Sequence, residues 1–164
     1  MNPIFTRTSI RQFTEQPVEA KKITALLKAA MAAPSAMNQQ PWEFYVVTNS
    51  EKLQELRAGS PYTAPLASAP AAIVICYRDD LKMPEYAQID CAIATENIWL
   101  EMENQGLGGV MIGIAPFTEQ MAAVEKVLDL PANLHAFTII PFGYPAQKKP
   151  QQDRYDETRI HFVK

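Results

Sequence analysis

From Ala71 to Tyr77 the chain reads Ala-Ala-Ile-Val-Ile-Cys-Tyr, an uninterrupted apolar run after Pro70 that is closed by Arg78, Asp79 and Asp80. A strand with one wet face alternates polar and apolar side chains, so a run without alternation describes a central strand buried on both faces. His135 to Phe142 reads as a second central strand, after which Gly143-Tyr144-Pro145 turns the chain outward. With 164 residues and 48% hydrophobic content, the chain suits one domain over residues 1–164. A domain of this size buries roughly 70% of its unfolded surface and needs no staples.

Helical periodicity marks three further segments. Val18 to Ala32 carries Ile23, Leu26, Leu27, Ala30 and Met31 at a spacing near 3.6, with lysines between, and Pro34 stops it. Tyr86 to Gln105 is a long run of helix formers closed by Gly106, enough for about 30 Å of helix. Its apolar residues go almost all round, which predicts contacts on a second side and hence a dimer partner. Asp90, Glu96 and Asn97 interrupt that surface and read first as satisfied helix polar groups. Thr118 to Leu128 is the third helix. Glu43 to Val47 reads as a strand, Ser50 as the N-cap of a short helix to Leu56, and Gly59 to Pro65 as a broken, mobile loop. The strand-like Thr158 to Phe162 closes a hydrophilic tail, and Ile160 and Phe162 there need cover.

Several function classes are excluded or disfavoured. A formal charge of -3 and a pI near 5.4 leave no basic field for a nucleic-acid backbone. No apolar stretch approaches the roughly 20 residues of a membrane helix and no signal peptide opens the chain, which points to the cytoplasm. Cys76 and Cys91 lie in apolar surroundings without metal-ligand or redox spacing and read as buried small hydrophobes. His135 and His161 sit amid strand-like residues, suited to a core or interface. No Ser/His/Asp or metal constellation presents itself.

Two segments carry binding chemistry. In Arg7-Thr8-Ser9-Ile10-Arg11 an extended backbone aims Arg7, Ser9 and Arg11 to one side. Arginine's planar fork binds phosphate oxygens bidentately, and serine adds a neutral donor. Two arginines near a terminus also fit a plain solvated surface. Ala33 to Trp42 offers Asn38, Gln39 and Gln40 among small residues and two prolines. It suits either a loop that lets a flat ligand approach the backbone or an ordinary helix-to-strand connection. Gly106-Leu107-Gly108-Gly109 follows a helix and not a strand, so the dinucleotide-binding fingerprint fails on context.

Taken in order, the Arg-x-Ser-x-Arg stretch, Pro34-Ser35-Ala36-Met37-Asn38-Gln39-Gln40-Pro41-Trp42, the helix ending in Gly106 to Gly109, and the tail with Arg154 and Arg159 to Phe162 resemble the nitroreductase family of flavin mononucleotide (FMN) enzymes. The resemblance implies an α+β fold: a three-layer α/β/α arrangement on a central mixed, mainly antiparallel sheet, with a C-terminal segment exchanged across a homodimer. It implies that Arg7, Thr8, Ser9 and Arg11 hold the FMN phosphate and that Arg154 closes on it. Pro34, Ser35, Ala36 and Asn38, with Gln40 nearby, come from the other subunit along the ring, and Gly108 and Gly109 bring backbone amides to it. The family often has a second cation where this chain has Gln152, which leaves Arg7, Arg11 and Arg154 as the expected phosphate site. Tyr62 and Phe117 are candidate substrate contacts.

The same resemblance implies an NAD(P)H-dependent oxidoreductase that reduces nitroaromatics, quinones or similar electron-poor acceptors in two half-reactions on one flavin. The cofactor then carries the chemistry, and the protein supplies anchoring, hydrogen bonds and an open face. The alternatives are a flavin-binding or sensing module with little turnover, and a flavin-free structural dimer.

Overall fold

A computed structural model describes residues 2–151 and 153–164. Its spine is an antiparallel sheet in the order β1 (Trp42–Val47), β2 (Ala71–Arg78), β5 (Leu134–Gly143) and β3 (Gly108–Gly109), with β4 (Ile112–Gly113) also paired to β5. Among the described residues the one parallel element is an isolated bridge between Ser9 and Gly109. β2 pairs with β1 on one side and β5 on the other, so the unalternating apolar run is the central strand its composition predicts. Its odd residues, Ala71, Ile73 and Ile75, join Ile140 and Phe142 beneath α2 (Ala20–Met31) and α4 (Ala87–Asn104). Its even residues, Ala72, Val74 and Cys76, join Ile139 beneath α3 (Ser50–Arg57) and α5 (Thr118–Leu128). Each fully buried aliphatic contributes about 1.5–3 kcal/mol of hydrophobic stabilisation, and the two cores together make the three layers.

Three local expectations are corrected and one element is new. Asn49, not Ser50, caps α3, its side chain accepting the Lys52 N–H, because an Asn one residue upstream reaches the same orphan donor. Pro3–Thr6 forms a short helix (α1) capped by Asn2. The Gly59 to Pro65 segment is not broken throughout: Thr63 leads into a 3₁₀ helix at Ala64–Ala67 that buries Pro65 and Leu66. The closing strand over Thr158 to Phe162 does not form within this chain. Asp156 accepts from Thr158 N and Oγ1 and pairs with Arg159 Nε at 3.0 Å, bending Glu157–Arg159 into a 3₁₀ turn. Ile160 and Phe162 then stay exposed, at 43% and 85%.

Asp90, Glu96 and Asn97 are satisfied: Asp90 accepts from Ala36 N, Glu96 lies 3.6 Å from Arg7 Nε, and Asn97 donates to the Ala29 carbonyl. His135 is half-buried beside Asp79, with Nε2 3.2 Å from Oδ2, while His161 is exposed. Both cysteines are buried free thiols. No helix among the described residues is long and apolar enough to cross a membrane.

Candidate functional site

Residues 7–11 run beside β3, where Ile10 N donates to the Gly109 carbonyl at 2.9 Å. That pairing fixes an extended backbone and divides its side chains between two sides. Arg7, Ser9 and Arg11 line a cavity of about 260 Å³ together with Thr8, Lys149, Pro150, Gln151 and Arg154. The tail reaches this cavity because it is tied to the N-terminal segment: Thr14 N donates to Tyr144 O and Ala146 N to Gln12 O, both at 2.9 Å. Gln152 lies outside the described residues. Lys149 supplies a fourth cation that the sequence reading missed. Its only signal was the Lys148-Lys149 pair before Pro150, and nothing local says that the chain there folds back on residues 12–14.

The Arg7 side chain is held by residues of its own chain. The Arg7 guanidinium lies 4.0 Å from the centre of the Trp99 ring and 3.6 Å from Glu96 Oε1. Cation–π attraction and the ion pair fix its direction. Its Nη1 is buried with no hydrogen-bond partner. A buried guanidinium nitrogen left unpaired is costly, and its nearest described support is the Trp99 ring face. Four cations and the Ser9 hydroxyl around one cavity make an anion site suited to a phosphate.

Arg11 also walls a second cavity of about 260 Å³, lined by Tyr62, Pro65, Val110, Met111, Ile112 and Gly113. Tyr62 thus lies beside the clamp. Phe117 is exposed and lines neither cavity. Gly108 and Gly109 are buried and face inward: a Cβ on Gly108 would come within 2.6 Å of Ile10 Cγ1, and one on Gly109 within 2.8 Å of Met102 Sδ. Close packing inside the chain leaves no room for a side chain at either glycine, and Val110 to Gly113, the residues that follow, line the second cavity.

The amide-rich loop is a separate construction. Met37, Asn38 and Gln40 adopt positive φ of 50°, 54° and 46°, a left-handed region that L side chains occupy only when their surroundings enforce it. Ser35 Oγ accepts from Gln40 N at 3.0 Å, and Gln40 Nε2 donates to Asn38 Oδ1 at 2.9 Å. Gln39, unassigned by the sequence reading, donates to Asp90 Oδ2 and to Met83 O. Pro34, Ser35, Ala36, Asn38 and Gln40 line neither of the two cavities around Arg11 in their own chain.

A sequence model described as the nitroreductase family matches residues 4–60 and 60–144. An Archaeoglobus fulgidus protein, named by inference as an NADH dehydrogenase/NAD(P)H nitroreductase, is 39% identical over 163 residues, covering 96% of this chain and 94% of its own. A crystal structure from Clostridium acetobutylicum, named by inference as an NADH oxidase, superposes with a TM-score of 0.96 at 40% identity and covers 99% of both chains. An FMN-dependent nitroreductase from Clostridium difficile R20291 superposes at 0.92 with 28% identity, over 99% of this chain and 98% of that one.

Proposed function

The chain belongs to the nitroreductase family, and from that premise we propose that it binds FMN and uses NAD(P)H to reduce nitroaromatic, quinone or similar electron-poor acceptors. The observation that carries the reading is the convergence of Arg7, Arg11, Lys149 and Arg154 with Ser9 on one cavity, the Arg7 guanidinium being held over Trp99 and beside Glu96. Arg7, Arg11, Lys149 and Arg154 neutralise the phosphate dianion, while Ser9 and the Thr8 backbone orient it. The adjoining cavity, walled by Arg11 and Val110 to Gly113, receives the rest of the cofactor.

FMN, when bound, accepts hydride from the nicotinamide and passes the reducing equivalents to the acceptor. This chain's residues anchor, orient and shield. Pro34, Ser35, Ala36, Asn38 and Gln40 act on the partner subunit's site, since they stand apart from the clamp of their own chain. Gly108 and Gly109 act by letting Ile10 and the clamp backbone close against β3. Tyr62 beside the clamp and the exposed Phe117 are the aromatic candidates for stacking a planar acceptor.

A homodimer is supported by what one chain leaves uncovered. Ile89 and Ile93 on α4, Met31 on α2 and Met37 in the loop are exposed, as are Ile160 and Phe162 at the tail. A second copy exchanging its C-terminal segment would cover them. The proposed setting is the cytoplasm.

The test is the visible absorbance of the purified protein before and after added FMN is dialysed away, followed by NAD(P)H oxidation with a quinone acceptor. Near one flavin per chain and steady turnover are expected. A protein that keeps no flavin overturns the reading, and flavin retention without turnover assigns a binding or sensing module instead.

A further inference from the structure

Three left-handed residues within the span Met37 to Gln40 need something to hold them. Burial does not: Met37 is 73% exposed, and Asn38 and Gln40 are exposed as well. The hold comes from beneath. Asp90, in the first turn of α4, is 2% exposed and spends both carboxylate oxygens on this loop. Oδ1 accepts the Ala36 N–H at 3.0 Å, and Oδ2 accepts Gln39 Nε2 at 2.9 Å. The Gln39 amide is fully used: Nε2 also donates to Met83 O at 3.0 Å, and Oε1 accepts from Met83 N at 3.2 Å. Arg78 Nη2 reaches the carbonyls of Gln39 and Gln40 at 3.3 Å each.

Direction matters in this network. Asp90 is an acceptor at both oxygens, so it fixes which way the Gln39 amide points, and that orientation alone matches the donor and acceptor of Met83. With residues 36 and 39 pinned, Asn38 is carried between them with its side chain outward, bonded only to Gln40. Buried carboxylates are retained where their hydrogen bonds are complete and specify one conformation.

We propose that Asp90 is a positioning residue: acting through Gln39, it presets the 35–40 loop so that Asn38 and Gln40 meet the flavin without having to be ordered on binding. This rests on the FMN reading above. It assigns Asp90 no contact with cofactor or substrate, and it gives Gln39 a task that its chemistry alone does not reveal.

Two full-length variants test it. Asp90→Asn keeps the shape but turns one acceptor into a donor facing Gln39 Nε2. Gln39→Met keeps the side chain's length and removes the link. Amide hydrogen exchange at residues 36–40 is measured on the FMN-free dimer, and the FMN dissociation constant by flavin fluorescence titration. Each variant should speed exchange in the loop and weaken FMN binding by about tenfold, the scale of one lost hydrogen bond to a charged group. In the Gln39→Met background, Asp90→Asn should cost clearly less than it does alone.

Folded variants with faster loop exchange but wild-type FMN affinity overturn the proposal, as do equal effects of Asp90→Asn in both backgrounds. If Asp90→Asn does not fold, Gln39→Met decides alone, since Gln39 is partly exposed and Asp90 keeps its bond to Ala36. Failure of the FMN reading looks different: wild type itself then binds no FMN, and rapid loop exchange in wild type would remove the preset loop as well.

Discussion

Trp99 holds Arg7 in place while being held itself: its ring lies 4.0 Å from the Arg7 guanidinium, and its Nε1 donates at 3.1 Å to the Gly109 carbonyl that also receives Ile10 N–H. A partly buried residue on α4 thereby supports a cation that lines the cavity. Trp99→Leu removes the cation–π contact and the indole bond together. It should weaken FMN binding roughly 5- to 30-fold, on the order of 1–2 kcal/mol, with the fold retained by circular dichroism. An affinity equal to wild type in a fluorescence titration would show that Arg7 is aimed by Glu96 alone.

The anion site should answer to phosphate and to salt. Replacing both Arg7 and Arg11 with alanine should release FMN and leave a folded dimer, since these residues face the cavity. Lys149→Gln should weaken FMN a few-fold and flatten its dependence on ionic strength, with little change for riboflavin, which lacks the phosphate. If riboflavin and FMN lose affinity equally, Lys149 does not face the phosphate.

Asn38→Asp places a carboxylate on an exposed loop proposed to lie along the reduced ring. Negative charge there disfavours an anionic reduced flavin, so anaerobic stopped-flow reduction by NAD(P)H should slow by about tenfold or more. An unchanged rate removes Asn38 from the site.

Gly108→Ala tests the close approach at β3. The new methyl would lie 2.6 Å from Ile10 Cγ1 and 2.8 Å from its Cβ, forcing the clamp strand outward at a cost of about 1–3 kcal/mol. The melting temperature should fall, and Ile10→Val should not restore it, because valine keeps both the Cβ and the Cγ that the new methyl would meet. No drop on calorimetry would mean that the strand shifts freely.

Burial pushes the Cys76 thiol up to about 12, and Cys91 is raised further by the same cause. Both are acids whose neutral form the fold favours, so the unfolded chain loses these protons first. Stability is fully present below pH 9.0, the ordinary thiol value, and falls as pH rises from there toward 12, by up to about 1.4 kcal/mol per pH unit for each thiol. Urea midpoints taken between pH 8 and 10.5 should decline more steeply for wild type than for Cys76→Ala, and parallel slopes would contradict the buried thiol.

The long periodic segments were legible in the sequence. The apolar run at Ala71, the helix from Thr118 to Leu128 and the alternation of Arg7, Ser9 and Arg11 each follow from periodicity, and the structure keeps all three. What stayed hidden depends on distant partners. Lys149 reaches the clamp only because residues 144–146 pair with residues 12–14, and Gln39 owes its task to a carboxylate 51 positions away. That Gly108 and Gly109 admit no side chain depends on Ile10 and Met102, which pack against them from distant elements. Thr158 to Phe162 has strand composition, yet Asp156 captures Thr158 first.

Helix α4 is a ruler. Asp90 near its start governs the loop, and Trp99, nine residues on, governs the clamp, which sets the two supports about 13 Å apart along one axis. Ile98 and Met102 hold that axis against the sheet with no exposure. The spacing between the two recognition elements is therefore a property of a rigid rod and not of the connecting segments. Any event that slides or tilts the rod registers at both ends at once.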